Sequence, residues 1–145
     1  MGSTMRAMSP ALSPMPPKKP LIFVLEDNQF MCDLICLHLT QAGYEVRGYV
    51  DAVEGGRAML AQRPDLLVLD IGMPYLDGLE LLGAMRGDAN TAGIPTVVVT
   101  ARTDSNTEHA AQKAGAARFL TKPLQRQQLL DAVADILGKR TEPVA

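Results

Sequence analysis

Leu66-Leu67-Val68-Leu69 runs without a polar interruption and ends on Asp70. Such a run matches neither the alternation of a sheet with one wet face nor the repeat of a surface helix. It suits a strand covered by helices on both sides. Two more runs of this kind, Leu21-Ile22-Phe23-Val24-Leu25 and Val97-Val98-Val99, lie before and after it. Glu45-Val46-Arg47-Gly48-Tyr49 and Arg118-Phe119-Leu120 are mixed, as edge or near-edge strands are.

Helical patterns fill the gaps. Asp27 or Asn28 opens the first, with Met31, Leu34, Ile35 and His38 on one stripe and Gly43 as its stop. Asp51 opens the second, through Ala52, Gly56, Met59 and Leu60, ending before Pro64. Leu79, Leu82 and Met85 mark the third. Asp104 or Ser105 starts the fourth, with Thr107, Ala110, Ala111 and Ala114 inward and Gly115 ending it. Leu129, Ala132, Val133 and Ile136 mark the fifth, stopped by Gly138. Five strand-then-helix units with short joints predict an α/β fold with an open, doubly wound, parallel sheet.

At 145 residues the chain is about one domain long, and 47% hydrophobic content is enough for one core. Residues 1–20 differ from the rest: they hold five of the ten prolines, four of the eight methionines, three basic residues (Arg6, Lys18, Lys19) and no acid. They are expected to be a disordered Pro/Met-rich leader, whose Met1–Met5 stretch is vector-like. The domain proper is expected over 21–138, followed by a C-terminal tail over 139–145. Without the leader, 11 basic and 16 acidic side chains leave a net charge of −5. That balance argues against direct nucleic-acid binding, which needs a concentrated basic face.

Other classes fall on length and motif. No apolar run approaches the roughly 20 residues of a membrane span. No long apolar stretch follows Arg6, so a secretory signal is not expected and a cytoplasmic location is. Neither G-x-G-x-x-G nor G-x-x-x-x-G-K-[ST] occurs, which removes dinucleotide oxidoreductases and P-loop phosphotransferases. Cys32 and Cys36 lack Cys/His partners at zinc spacing and are expected to pack as small apolar residues. His38 and His109 read as ordinary helix residues.

In a parallel sheet of this kind the ligand site lies beyond the carboxyl ends of the strands. Strand one ends in Glu26-Asp27, strand three in Asp70, strand four in Thr100, and strand five in Thr121-Lys122-Pro123. Three carboxylates, a hydroxyl and an ammonium therefore converge on one rim. Adjacent carboxylates repel one another, and a hard divalent cation relieves this. Mg²⁺ characteristically takes one or two carboxylates, waters and phosphate oxygens, and a lysine beside it suits a phosphoryl group.

With these residues in place, the chain resembles the receiver domains of two-component response regulators over residues 21–138. The resemblance rests on Val24-Leu25-Glu26-Asp27-Asn28, Leu69-Asp70-Ile71-Gly72-Met73-Pro74-Tyr75-Leu76-Asp77-Gly78 and Val99-Thr100-Ala101. Gly115-Ala116-Ala117-Arg118-Phe119-Leu120 and Thr121-Lys122-Pro123 complete it. It implies the flavodoxin-like strand order 2-1-3-4-5, for which the chemotaxis receiver is a standard example. It implies that Asp70 accepts phosphate from a histidine kinase or histidine phosphotransfer protein. Asp27, Asp70 and the Gly72 carbonyl would hold Mg²⁺ (or Mn²⁺), with Glu26 acting through water. Thr100 would hydrogen-bond one phosphoryl oxygen and Lys122 would pair with another, across a cis Lys122–Pro123 peptide.

The resemblance also places Phe119 as a switch aromatic coupled to Thr100, working by packing because it lacks a hydroxyl. Gly72 and Arg102 flank the acceptor site, each two residues beyond a site residue. Partner-kinase specificity is expected from Phe30 to Cys36 and the loop after Lys122. The output or dimerisation face is expected over 104–138, on a monomer or weak dimer that meets a downstream protein. Pro74 and Gly78 are expected to fix the shape of the loop beside Asp70, and Asp77 to cap the third helix. A stand-alone receiver is the expectation, with a receiver cut from a longer regulator or hybrid kinase as the alternative. An aspartate-nucleophile phosphatase is a further alternative. That class needs an acid two residues after the nucleophile, where this chain has Gly72, so steady-state turnover is not expected.

Overall fold

A computed structural model describes residues 18–73, 76–102 and 104–141. Most of the leader, Pro74, Tyr75, Thr103 and the last four residues lie outside them. Five strands alternate with five helices: β1 (Leu21–Leu25), α1 (Gln29–Gln41), β2 (Glu45–Tyr49), α2 (Ala52–Ala61) and β3 (Leu66–Asp70). They continue with α3 (Gly78–Arg86), β4 (Thr96–Thr100), α4 (Ser105–Lys113), β5 (Arg118–Thr121) and α5 (Arg126–Thr141). The strands are parallel in the order β2-β1-β3-β4-β5. The three uninterrupted apolar runs are the three central strands, buried along their whole length. The two mixed segments are the edges.

Side chains alternate between two layers, as the pleat requires. Phe23, Leu25, Leu67, Leu69 and Val98 meet Met59, Leu82, Met85 and Ala111 from α2, α3 and α4. Ile22, Val24, Leu66, Val68, Val97 and Val99 meet Cys32, Ile35, Leu39, Leu129, Val133 and Leu137 from α1 and α5. Each fully buried aliphatic or aromatic side chain contributes about 1.5–3 kcal/mol. Cys32 and Cys36 are free thiols in the second layer. Burial pushes the Cys36 thiol up to about 12, consistent with apolar filler. Gly48 leaves room for both sulfurs, since a Cβ there would lie 2.7 Å from each.

Several local expectations need correcting. The buried stripe of α1 is Cys32, Ile35 and Leu39, flanked by partly buried Met31 and Cys36. Its phase is one residue from the expected one, because the helix presents apolar residues on most sides. Met59 of α2 is buried as expected, but Leu60 is exposed and the buried glycine is Gly55 rather than Gly56. Gly138 does not stop α5. It has no positive φ, a Cβ there would meet nothing within 4 Å, and the helix runs on to Thr141. Gly43 and Gly115, both with φ above +100°, are the glycines that do end helices.

Gly78 is required for space. It is the first residue of α3, without positive φ, and a Cβ there would lie 2.5 Å from the Ile71 Cα. The helix thus approaches the backbone of the residue that follows Asp70. Gly78→Ala is expected to cost about 1–3 kcal/mol by overpacking, read by urea denaturation, and to shift the amide resonances of residues 70–73. Arg86, at the other end of α3, donates from Nη1 to the Ala92 carbonyl and from Nη2 to the Ile94 and Gly115 carbonyls, the last at 2.8 Å.

Candidate functional site

The strand ends are extended by one further sheet bond each. Glu26 N–H donates to the Tyr49 carbonyl at 3.1 Å, Ile71 N–H to Val99 at 3.2 Å, and Lys122 N–H to Thr100 at 2.8 Å. Glu26, Asp70, Thr100 and Lys122 are therefore carried on rigid backbone rather than on loop. Six acids lie on this rim, and helix capping uses three of them. Asp51 accepts from Val53 and Glu54 N–H, Asp77 from Leu79 and Glu80, and Asp104 from Thr107. Asn28, rather than Asp27, caps α1 by accepting from Met31 N–H at 2.9 Å. Glu26, Asp27 and Asp70 are left over.

Oxygens of these three carboxylates lie within 4.8 Å of one another. Glu26 is only 1% exposed, Asp70 is buried and Asp27 is exposed. Lys122 Nζ lies 2.8 Å from Glu26 Oε1 and donates to Asp70 Oδ2 at 3.2 Å, with its side chain 22% exposed. The ammonium is thus the ion-pair partner of this enclosed Glu26 oxygen. Its other oxygen, Oε2, accepts from Asn28 N–H at 3.2 Å. Burial raises the Glu26 carboxyl above its ordinary value, opposed by Lys122 and Asn28 and reinforced by Asp70. Burial by itself pulls the Lys122 ammonium down, but its Glu26 and Asp70 neighbours outweigh this and leave it raised.

Asp70 is held through both oxygens, Oδ2 by Lys122 and Oδ1 by the Gly72 N–H at 2.8 Å. A Cβ on Gly72 would lie 3.4 Å from Oδ1, so glycine leaves this side of the carboxylate open. The buried Thr100 accepts from the Arg102 N–H at 3.0 Å through Oγ1. The Lys122–Pro123 peptide is cis. Phe119 is in register with Val98 and packs, partly buried, against the layer that includes α4. The donor set fits a hard divalent cation: three carboxylates crowd together with a single ammonium beside them, and no thiol or imidazole belongs to the cluster.

A family model described as the response regulator receiver domain matches residues 22–134. The chain belongs to that family. The DNA-binding dual master transcriptional regulator RpaA of Synechocystis sp. is 32% identical over 125 residues, 86% of this chain and 52% of that protein. Response regulator MprA of Mycobacterium tuberculosis is 36% identical over 122 residues, 84% of this chain and 52% of its own. This receiver thus spans about half the length of the curated relatives it matches. A putative response regulator from Chloroflexus aurantiacus superposes with a TM-score of 0.78 at 30% identity, covering 83% of this chain and 99% of that one. A CheY-like receiver domain protein from Methanospirillum hungatei gives 0.78 at 24% identity, covering 87% and 100%, which speaks to the fold alone.

Receiver domains are signalling domains that interact with histidine kinases or phosphotransfer proteins and bind Mg²⁺ at an acidic pocket. Among the described residues no helix is long and apolar enough to cross a membrane. Two features of this receiver's site escaped the sequence reading. One is the bridging of Lys122 to Glu26 as well as to Asp70. The other is a chain of contacts from Thr100 through Arg102 and Asp104 to Thr107, of which the Asp-x-x-Thr capping pattern was the only sequence signal.

Proposed function

We propose that Asp70 of this receiver accepts a phosphoryl group from a phosphohistidine on a kinase or phosphotransfer partner. What carries the reading is the meeting of the three carboxylates that capping leaves over, with Lys122 beside them. An Asp70 oxygen attacks phosphorus, and the P–N bond to the donor imidazole breaks with its electron pair left on nitrogen. Lys122 holds Asp70 in place and pairs with the transferred group. Thr100, whose hydroxyl carries a proton to donate, hydrogen-bonds a second phosphoryl oxygen. Asp27, Asp70 and the Gly72 carbonyl would hold Mg²⁺ or Mn²⁺, with Glu26 reached through water. Bound there, the cation offsets the repulsion between carboxylate and phosphoryl oxygens.

Incubation with acetyl phosphate and Mg²⁺ tests the reading by intact mass. One added phosphoryl group, removed by hydroxylamine as an acyl phosphate is, is the expected product. A hydroxylamine-stable adduct, or none, counts against it. Asp27→Asn is expected to weaken Mg²⁺ binding by about tenfold or more, since the cluster loses its one exposed charge. Titration of amide shifts reads this, and an unchanged midpoint removes Asp27 from the site.

The signal is proposed to leave through residues 104–138, with Thr100 moving toward the phosphoryl group and the Phe119 ring repacking behind it. We take 21–138 as the unit that performs this switch, and its acidic charge gives no reason for it to touch nucleic acid itself. Acting alone, it would pass the signal to a separate protein; within a longer regulator, the same face would meet the remaining part of that chain. Gly72 offers no acid for releasing a leaving group, which favours signalling over turnover. The length of the natural reading frame decides between the stand-alone and multidomain settings.

A further inference from the structure

Thr100 is tied to α4 by a continuous chain of contacts. Its Oγ1 accepts from the Arg102 backbone N–H. The Arg102 guanidinium, through Nε, faces Asp104 Oδ2 at 3.6 Å. Asp104 is the N-cap of α4, where Oδ1 accepts from both the N–H (2.8 Å) and the hydroxyl (2.9 Å) of Thr107. These Thr107 bonds hold the Asp104 carboxyl below its ordinary range. Thr107 is itself buried, so the cap is fixed to the core while its cation is not. The Arg102–Asp104 pair is the weak link, with side chains 73% and 48% exposed and a separation beyond good hydrogen-bond range.

Arg102 also lines a cavity of about 680 Å³ whose other walls include Gly72, Met73, Leu76, Asp77 and Thr107. Gly72 is the residue whose N–H holds Asp70, and its missing side chain leaves that side of the cavity open. Asp77 is the carboxylate on the wall, and its Oδ1 is engaged by the first amides of α3. Asp70 is not itself on the wall but is joined to it through Gly72; a new dianion there would attract a cation from this side, and arginine matches phosphoryl oxygens with two parallel N–H donors.

We infer that Arg102 is a two-position positioning residue, paired with Asp104 at rest and drawn across the cavity to the phosphoryl group once Asp70 is modified. Its departure leaves the α4 cap without its cation, while Thr100 releases the Arg102 amide as it turns to the same group. The first turn of α4 then changes environment as a direct result of the chemistry at Asp70. The inference rests on the proposed acceptor role of Asp70 and adds the route by which α4 senses it.

Beryllofluoride with Mg²⁺, added to the full chain, separates the two. Its uptake is followed by ¹⁹F NMR and the response of α4 by the amide shifts of Ser105, Asn106 and Thr107. Arg102→Gln removes the cation. Asp104→Asn keeps a capping oxygen but removes the charge that holds Arg102. Arg102→Lys restores the cation without the planar fork. Wild type is expected to bind beryllofluoride and shift all three amides. Both neutralising variants should still bind it, with those shifts reduced to less than half and the Thr100 and Lys122 shifts retained. Arg102→Lys should recover part of the lost response, which a merely structural arginine would not do. Equal shifts at 105–107 in wild type, Arg102→Gln and Asp104→Asn would overturn the inference and leave the Asp70 reading standing. Absence of beryllofluoride uptake in wild type would overturn both.

Discussion

Asp70→Asn is expected to abolish phosphoryl uptake while leaving the fold at least as stable as the wild type. The amide side chain keeps an oxygen for the Gly72 N–H but offers no anionic nucleophile. The rate of mass gain from acetyl phosphate should therefore fall by at least ~100-fold. Stability moves the other way for an electrostatic reason. Asp70 is one of the groups that push the buried Glu26 carboxyl upward, and removing its charge relieves that repulsion while Lys122 stays on Glu26. A gain of up to about 1 kcal/mol in denaturant unfolding is expected, the usual trade where a site is built from like charges. A full phosphoryl mass gained at a comparable rate would move the acceptor to another residue. A loss of several kcal/mol would show that the charge is needed for the fold.

Lys122→Ala should have the largest effect on stability, and the effect should depend on pH. Glu26 is almost wholly enclosed, and this lysine is the ammonium held against it. Removing one partner of such a pair costs about 3–5 kcal/mol when both are buried; the partial exposure of Lys122 lowers the expectation to about 2–3 kcal/mol. Glu26 is an acid whose folded value is raised, so the native state holds its proton longer than the unfolded chain does. Its contribution to stability is therefore most favourable at acid pH and declines as pH rises from the unfolded value through the folded one. Without Lys122 the folded value climbs further, and the decline extends toward neutrality. The variant should match wild type most closely near pH 5 and fall behind it by pH 8. Mg²⁺ should recover part of the difference, because a ligand that binds only the folded state stabilises it. Parallel pH profiles for the two proteins in urea would show that Glu26 does not depend on this lysine.

The sheet was legible because Leu21–Leu25, Leu66–Leu69 and Val97–Val99 are apolar without interruption, a pattern that strands covered on both faces require. The edge strands were recognisable by the opposite property, since Glu45, Arg47 and Arg118 need water on one side. The site followed from the same logic, as polar residues placed directly after buried strands have nowhere to go but the common rim. Helix phase was less legible. In α1, Met31, Cys32, Leu34, Ile35, Leu37 and Leu39 surround the axis, and only packing decides that Cys32, Ile35 and Leu39 go inward. Gly138 looked like a stop because glycine disfavours helix, yet at about 1 kcal/mol relative to alanine it is tolerated within a long one. Arg86 was invisible for a further reason. Its partners are the carbonyl groups of residues 92, 94 and 115, and backbone oxygens carry no sequence signature.

That arginine gives α4 a fulcrum. Its guanidinium fastens the Gly115 carbonyl, just past the last turn of the helix, to the carbonyls that lead into β4. Among the described residues, the first turn is secured through the Asp104 cap on the buried Thr107 and through the exposed Arg102. Once Arg102 leaves Asp104 as proposed, a helix clamped at one end and released at the other would act as a lever, with displacement greatest near Ser105 and fading toward Lys113. A partner that grips the beginning of α4 would read the full stroke, whereas one that touches only its end would read almost none.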